Sequence, residues 1–415
     1  MLPRTLWGLP GRGSIHGGPM KPPSLTLGVE EEYQVVDPET CLLHPYITRV
    51  LQEGRITVKG IKPELHQSTV EVGTEVCMTP AEVRAEIVRL RTAATELASQ
   101  QGLQIMASGT HPISSWIESP ITPMDRYLGL EEDLQDVARR NLIFGTHIHV
   151  GIEDREFLID TMAVARYFLP HLLALSTSSP FWMGRNTGLK SYRTRVWKEF
   201  PRSGVPPAFT TWAEYEHLVS TLVRANSMED PSKLWWDLRP SHFYPTLEFR
   251  IFDMATKIDE VVCLAALTQA IVAKMWKLRY DNLTFRHYSV ELLQENRFRA
   301  ARYGLDGNLI DLGKSEEIPT RTMIRELLAF VDDVVDDLGS REDVAYVERI
   351  LEEGSSADRQ LRVHAEEGSL EAVVRHLMEE TTEGCHPQAA PGDPPRWREV
   401  GRGDPGSSAP APPAP

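Results

Sequence analysis

Residues 25 to 37 read Leu-Thr-Leu-Gly-Val-Glu-Glu-Glu-Tyr-Gln-Val-Val-Asp, three consecutive carboxylates inside a stretch that alternates like a β-strand. Leu25, Leu27, Val29, Glu31, Tyr33 and Val35 fall on one face, and Thr26, Gly28, Glu30, Glu32, Gln34 and Val36 on the other. Glu has low β propensity, and like charges two residues apart on one face repel, so the run needs a neutralising partner. Glu30 and Glu32 project the same way, with Gly28 beside them to let a ligand come close. A hard divalent cation is the economical partner. The plain alternative is a solvated strand end, the usual fate of a charge run.

Three more pairs have strand spacing. Glu71 and Glu75 share a face of an alternating stretch from Gln67 to Cys77, His147 and His149 share a face of a strand from Leu142 to Ile152, and Glu248 and Arg250 share a face of Thr246 to Asp253. Singly, each has a bland explanation: an exposed pair on an edge strand, two satisfied histidines, a surface ion pair worth under about 1 kcal/mol. On separate strands of one sheet they would instead line one cavity, a cage for roughly two or three Mg²⁺ or Mn²⁺ ions beside a nucleotide's phosphates. The stretch from Phe181 to Trp197 has no clean period and runs on as a loop to Phe209. Its Arg185, Arg193 and Arg195 concentrate positive charge in an acidic protein, as an anionic ligand requires; with Arg250 they are the candidates for holding the nucleotide.

The elements that must position these residues follow from local signals. Asp37-Pro38-Glu39-Thr40 reads as a turn leading to a return strand, Cys41 to Leu43. Thr79, Pro80 and Glu82 open a helix as N-cap, first-turn proline and capping box; Val83, Ile87, Leu90, Ala94 and Leu97 give it a buried face, and Gly102 ends it. Residues 103 to 107 form a short strand, 125 to 141 a helix, and 154 to 176 a long apolar helix bent at Pro170. Thr211 with Glu214 caps a helix to Asn226. Leu234 to Pro240 and Thr246 to Asp253 are strands joined by a turn, and residues 257 to 280 a buried helix. Beyond that only helical patterns appear, at 287 to 302, 320 to 338, 341 to 352 and 369 to 381.

The 415 residues are 41% hydrophobic and 25% charged, ordinary for a soluble globular chain, and the formal net charge is -15. That balance argues against non-specific binding to nucleic acid or an anionic membrane and favours small-molecule partners; a homo-oligomer stays open. Cys41, Cys77, Cys263 and Cys385 lack the close pairing of a metal or redox motif and read as reduced thiols in a cytoplasmic protein. Neither a signal peptide nor about eighteen uninterrupted apolar residues is present. Residues 1–23 and 384–415, rich in Gly and Pro, read as a disordered leader and tail, with a single domain over 24–383 whose part from 287 is helical.

Five motifs occur in the order found in a known family: Gly28-Val29-Glu30-Glu31-Glu32-Tyr33; Gln67 to Thr74; Gly145-Thr146-His147-Ile148-His149; Gly184 to Gly188 with Ser191-Tyr192-Arg193; and Trp236 to Pro240 with Leu247-Glu248-Phe249-Arg250. The chain resembles, over about residues 24 to 380, the carboxylate-amine ligase or type 2 glutamate-cysteine ligase family, whose relatives share the sheet of glutamine synthetase. The resemblance implies an α+β fold, a curved antiparallel sheet lined by metal ligands with helices packed outside. It implies that Glu30, Glu32, Glu71, His147 and Glu248 are metal-site residues, with Glu64 a further acidic ligand, and that Arg250, beside Glu248 in the catalytic centre, meets the transferred phosphate. The implied chemistry is attack of a substrate carboxylate on the γ-phosphate of ATP, giving an acyl phosphate that an amine captures, with glutamate and cysteine as substrates or another pair in their place. Such a reaction needs metal and a cationic clamp and no protein nucleophile. Two other readings compete: a hydrolase with His147 and His149 on zinc, for which the alternating β/α units are missing, and a non-catalytic binding module.

Overall fold

The computed structural model describes residues 21–46 and 59–385. Its spine is the first strand, β1 (Leu27–Asp37), which is long enough to pair along both edges with four others: β2 (Leu42–Leu43), β4 (Thr69–Gly73), β5 (Gln104–Met106) and β6 (Thr146–Gly151). With β3 (Ile61–Pro63), β11 (Leu238–Pro240) and β12 (Thr246–Phe249) these strands form an eight-stranded sheet in the order β11-β12-β6-β1-β4-β3, every pairing antiparallel. Between β6 and β11 lie the short strands β7 (Phe181–Trp182), β8 (Arg185–Asn186), β9 (Ser203–Gly204) and β10 (Trp235–Trp236).

The period of two sorts the faces as the sequence indicates. Leu27, Val29, Ile148, Val150, Leu247 and Phe249 are buried against the helices Pro80–Ser99, Arg155–Ala165 and Ile258–Tyr280. The Pro80–Ser99 helix starts where Thr79 Oγ1 accepts from the Glu82 amide at 3.2 Å. Glu82 closes the box one residue further back than expected, accepting from the Met78 amide at 2.6 Å. Glu31 also points into this apolar layer, fully buried. There it meets the guanidinium of Arg91, which donates onward to the carbonyls of Ala255 (3.1 Å), Thr256 (2.5 Å) and Thr381 (3.2 Å), and it accepts from Tyr33 Oη.

Several expectations are corrected. The helix expected over 125 to 141 breaks at Gln135, whose φ is 51°, into Asp125–Leu134 and Asp136–Arg139. The long helix after Asp154 is Arg155–Ala165, a 3₁₀ turn Arg166–Phe168, then Leu169–Ser176. Pro170 therefore opens the second piece, where its missing N–H costs nothing. The strand expected over 234 to 240 divides at Asp237, whose carboxylate Arg297 holds at 2.6 and 3.1 Å, while β10 pairs in parallel with β9. The stretch after residue 280 is not all helical. Between the helices Val290–Tyr303 and Thr320–Val335 sits a hairpin of β13 (Asn308–Asp311) and β14 (Glu316–Pro319). Asp311 Oδ1 organises its turn by accepting from the Gly313 and Lys314 amides. The helix Ser356–Glu367, absent from the sequence reading, precedes the anticipated Leu370–Thr382.

Two helical stretches, Arg155–Ser176 and Ile258–Tyr280, are long and apolar enough to cross a membrane, but 89% and 83% of their most apolar windows are buried inside the fold, as core helices. All four cysteines are free. The leader and tail read from the sequence lie outside the described residues except at 21–23 and 384–385.

Candidate active site

The register places the polar residues in rows across the open face of the sheet. Arg239 (β11), Glu248 (β12), His149 (β6) and Gly28 (β1) are successive cross-strand partners; His147, Glu30 and Gly73 form the next row, and Glu32, Glu71 and Lys62 the one beyond. Glycine at 28 and 73 leaves the floor beside Glu30 low: a Cβ at 73 would meet nothing nearer than Glu30 Cγ at 4.0 Å.

The acids and imidazoles converge around Glu30. His147 Nδ1 lies 3.2 Å from Glu30 Oε2, and His149 Nε2 lies 3.8 Å from Oε1, while His149 Nδ1 is bonded to Thr246 Oγ1 at 3.0 Å. One ligand atom each from Glu30, His147 and Glu248 falls within 4.8 Å of the others. Burial works to raise the Glu30 carboxyl, yet the two imidazoles hold it well below the usual range. The two imidazoles are shifted in opposite directions. Burial and Arg250 push His147 down to about 4, leaving it neutral, whereas His149 is raised because Glu30 and Glu248 outweigh its burial.

Further along β1 several carboxylates lie close together, and Arg193 and Arg250 only partly offset their charge. Burial and neighbouring Glu64 push the Glu32 carboxyl up to about 7 although the Gly145 amide donates to it at 2.6 Å; burial with Glu30 and Glu64 pushes Glu71 well up. Tyr127 Oη donates to Glu64 at 3.3 Å, and Lys62 reaches Glu71 only at 3.7 Å.

The other end of the face is cationic. Glu248 is gripped on both oxygens by Arg239, at 2.7 and 3.1 Å, and again by Arg250; against its burial, those guanidiniums and His149 hold it well below the usual range. This is a buried cluster, not the surface ion pair that was the plain alternative. Arg193 and Arg250 both lie over the Trp197 ring, at 5.8 and 5.5 Å.

Of the residues the sequence singled out, Glu30, Glu32, Glu71, His147, Glu248, Arg250 and Arg193 come together on this face, and Glu64 joins them. Glu75 does not: the strand ends at Gly73, so the alternation that put Glu75 beside Glu71 stops, and Glu75 is exposed with Lys59 at 2.7 Å. Arg185 and Arg195 are exposed and form no ion pair among the described residues. Arg239 was missed, although Leu238-Arg239-Pro240 alternates; its partner Glu248 is visible only in the β11–β12 register.

A cation-binding reading can be tested on the chain itself. His147 Nε2 is buried with no hydrogen-bond partner, and an imidazole held neutral has its lone pair free. Burial and neighbouring carboxylates push Glu32 and Glu71 toward protonation, which a bound cation would relieve, and a carboxylate clamped by arginines still has lone pairs to offer. The donor set of oxygens and one imidazole fits Mg²⁺ or Mn²⁺.

The fold is that of known ligases. Glutamate-cysteine ligase of Francisella tularensis, solved in complex with AMP, superposes with a TM-score of 0.64 at 11% identity, over 87% of this chain and 89% of that one. A bifunctional glutathione synthetase from Pasteurella multocida gives 0.62 at 13% identity, over 87% of this chain and 52% of that one. The model of glutamate-cysteine ligase family 2 matches residues 26–376. A Roseiflexus protein named "Putative glutamate--cysteine ligase 2" is 55% identical over 360 residues, 86% of this chain and 95% of its own, and a like-named protein of Herpetosiphon aurantiacus is 54% identical over 360 residues, 86% and 94%. The chain belongs to glutamate-cysteine ligase family 2, and it is an ATP-dependent ligase.

Proposed function

We propose that the protein joins the γ-carboxylate of glutamate to the amine of cysteine at the expense of ATP, through γ-glutamyl phosphate, releasing ADP and orthophosphate. The observation that carries this reading is the polarity of one sheet face: carboxylates and imidazoles at Glu30, Glu32, Glu71, His147 and Glu248, with Arg250 and Arg193 opposite. Glu30, Glu32, Glu71, His147 and Glu248, with Glu64, would hold Mg²⁺ or Mn²⁺. Bound there, the metal would neutralise charge on the terminal phosphates. Arg250 meets the transferred phosphoryl group with a guanidinium that Glu248 keeps from swinging away, and Arg193 adds a second positive charge. Gly28 and Gly73 let the phosphates lie close to the backbone. His147, kept neutral, offers a lone pair and not a proton. Arg185, in β8, and Arg195, in the short helix Arg193–Trp197 that interrupts the expected loop, are exposed and would contact the nucleotide only from outside this face. Residues 24–383 act as one catalytic domain on small-molecule substrates.

The test is nucleotide linkage. ATP should raise the thermal midpoint only when Mg²⁺ or Mn²⁺ is present, by the coupling of ligand binding to folding. An equal rise with ATP plus chelator would overturn the metal-dependent reading.

A further inference from the structure

Arg193 is a buried cation that no carboxylate contacts directly among the described residues; Asp253 and Glu32 favour its charge only from a distance. It is 3% exposed, makes no ion pair among the described residues, donates one long 3.4 Å bond to the Arg250 carbonyl, and leaves Nε without an acceptor. A buried guanidinium with no direct ion pair and a free Nε is placed to take an anion from outside. Its place is nonetheless closely defined. The guanidinium lies across Gly145, where an added Cβ would come within 2.9 Å of Cζ, and above the Trp197 ring that Arg250 shares.

What defines that place is a second buried charge. Asp253 is fully buried, three residues beyond Arg250 on the same segment. Its Oδ2 accepts from the Ser178 amide at 2.9 Å and from Ser179 Oγ at 2.7 Å, and its Oδ1 accepts from Ser191 Oγ at 2.7 Å. Ser179 Oγ in turn accepts from the Arg193 amide at 3.0 Å. Gly109 is pressed against the hub; a Cβ there would lie 2.9 Å from Asp253 Cγ. One carboxylate thus fixes both ends of the loop that carries Arg193 and sits on the segment that carries Arg250.

We propose that Asp253 is a positioning residue for phosphoryl transfer: by binding Ser178, Ser179 and Ser191 it sets the Arg193 guanidinium beside Arg250, as the second cation that receives the nucleotide's triphosphate. This rests on the ligase reading above. Asp253 touches no substrate and acts only through Arg193, so the two residues behave as one unit toward nucleotide and not as independent contributors.

The experiment is a double-mutant cycle on the full chain, with the β,γ-imido analogue of ATP and Mg²⁺ as the probe and calorimetric affinity as the readout. Asp253→Asn and Arg193→Met should each weaken binding by about tenfold or more, and the double variant should bind no more weakly than Arg193→Met alone. Ser191→Ala, which removes one of the three bonds, should show a smaller loss that also vanishes in the Arg193→Met background, and it serves where Asp253→Asn does not fold. A mere hub of the fold would lower the thermal midpoint yet leave the affinity of the folded protein unchanged, or would add its loss in full to that of Arg193→Met. Either result overturns the proposal while wild-type binding keeps the ligase reading intact. Failure of the wild type to bind the probe would overturn the ligase reading, and this inference with it.

Discussion

Glu30 stands at the centre of the proposed site, since two imidazoles and the open floor of the sheet meet at its carboxylate. Glu30→Gln keeps the shape and removes a charge; turnover should fall by about a hundredfold or more while the thermal midpoint stays near that of the wild type. Unchanged turnover would return the acidic run to a solvated strand end. Glu32 yields a pH prediction. Its folded carboxyl titrates near 7, above the ordinary carboxylate value, so between those values the metal-free folded state holds a proton that the unfolded chain has lost. That term is present at low pH and lost as pH rises toward 7. A cation displaces the proton, so the gain in thermal midpoint on adding Mg²⁺ should grow between pH 5.5 and 8, and should grow less in Glu32→Gln. A gain independent of pH would contradict the placement of Glu32 at the cation. These residues were legible in the sequence because the strand period of two fixes which side chains share a face. Glu75 was misread because that period says nothing of where a strand stops, and Arg239 and Asp253 were missed because their partners are set by register and loop packing between distant segments.

Among elements, β1 has the double task of presenting Glu30 and Glu32 while burying Glu31. A one-residue slip would exchange the faces, sending Glu30 and Glu32 into the apolar layer, so the Glu31–Arg91 pair pins the register. Arg91→Met leaves a buried carboxylate unpaired and should destabilise the protein by about 3–5 kcal/mol in chemical denaturation, whereas Glu31→Leu with Arg91→Met should be milder than either single change. A double variant worse than both singles would show that the pair is worth more than the burial it replaces. Arg91 also binds the carbonyl of Thr381, so the same pair anchors the last helix behind the sheet. Helices with a clear cap and an apolar stripe, such as Pro80–Ser99, were readable. The hairpin Asn308–Pro319 was not, because four-residue strands hold too few alternations to stand out beside helical neighbours.

At the scale of the whole molecule, an apolar layer of helices supports one sheet, and the sheet's other face is divided between acids near β1 and β4 and arginines near β11 and β12. Order along the chain concealed this arrangement, since β6 and β12 are far apart in sequence yet adjacent in space; the recurrence of paired polar residues on four stretches, and the family motifs that contain them, pointed to it. On the proposed reading this division suits transfer of the terminal phosphoryl group, in which Arg250 would neutralise charge on the group that moves. Activation at the α-phosphate would require the clamp elsewhere. The most direct measurement is therefore product analysis: the protein with ATP, Mg²⁺, glutamate and cysteine, nucleotides and amide followed by mass spectrometry. The account predicts ADP and orthophosphate in step with γ-glutamylcysteine, and no phosphate release when glutamate is withheld. AMP and pyrophosphate as products, or no nucleotide turnover with glutamate and any amine supplied, would contradict it.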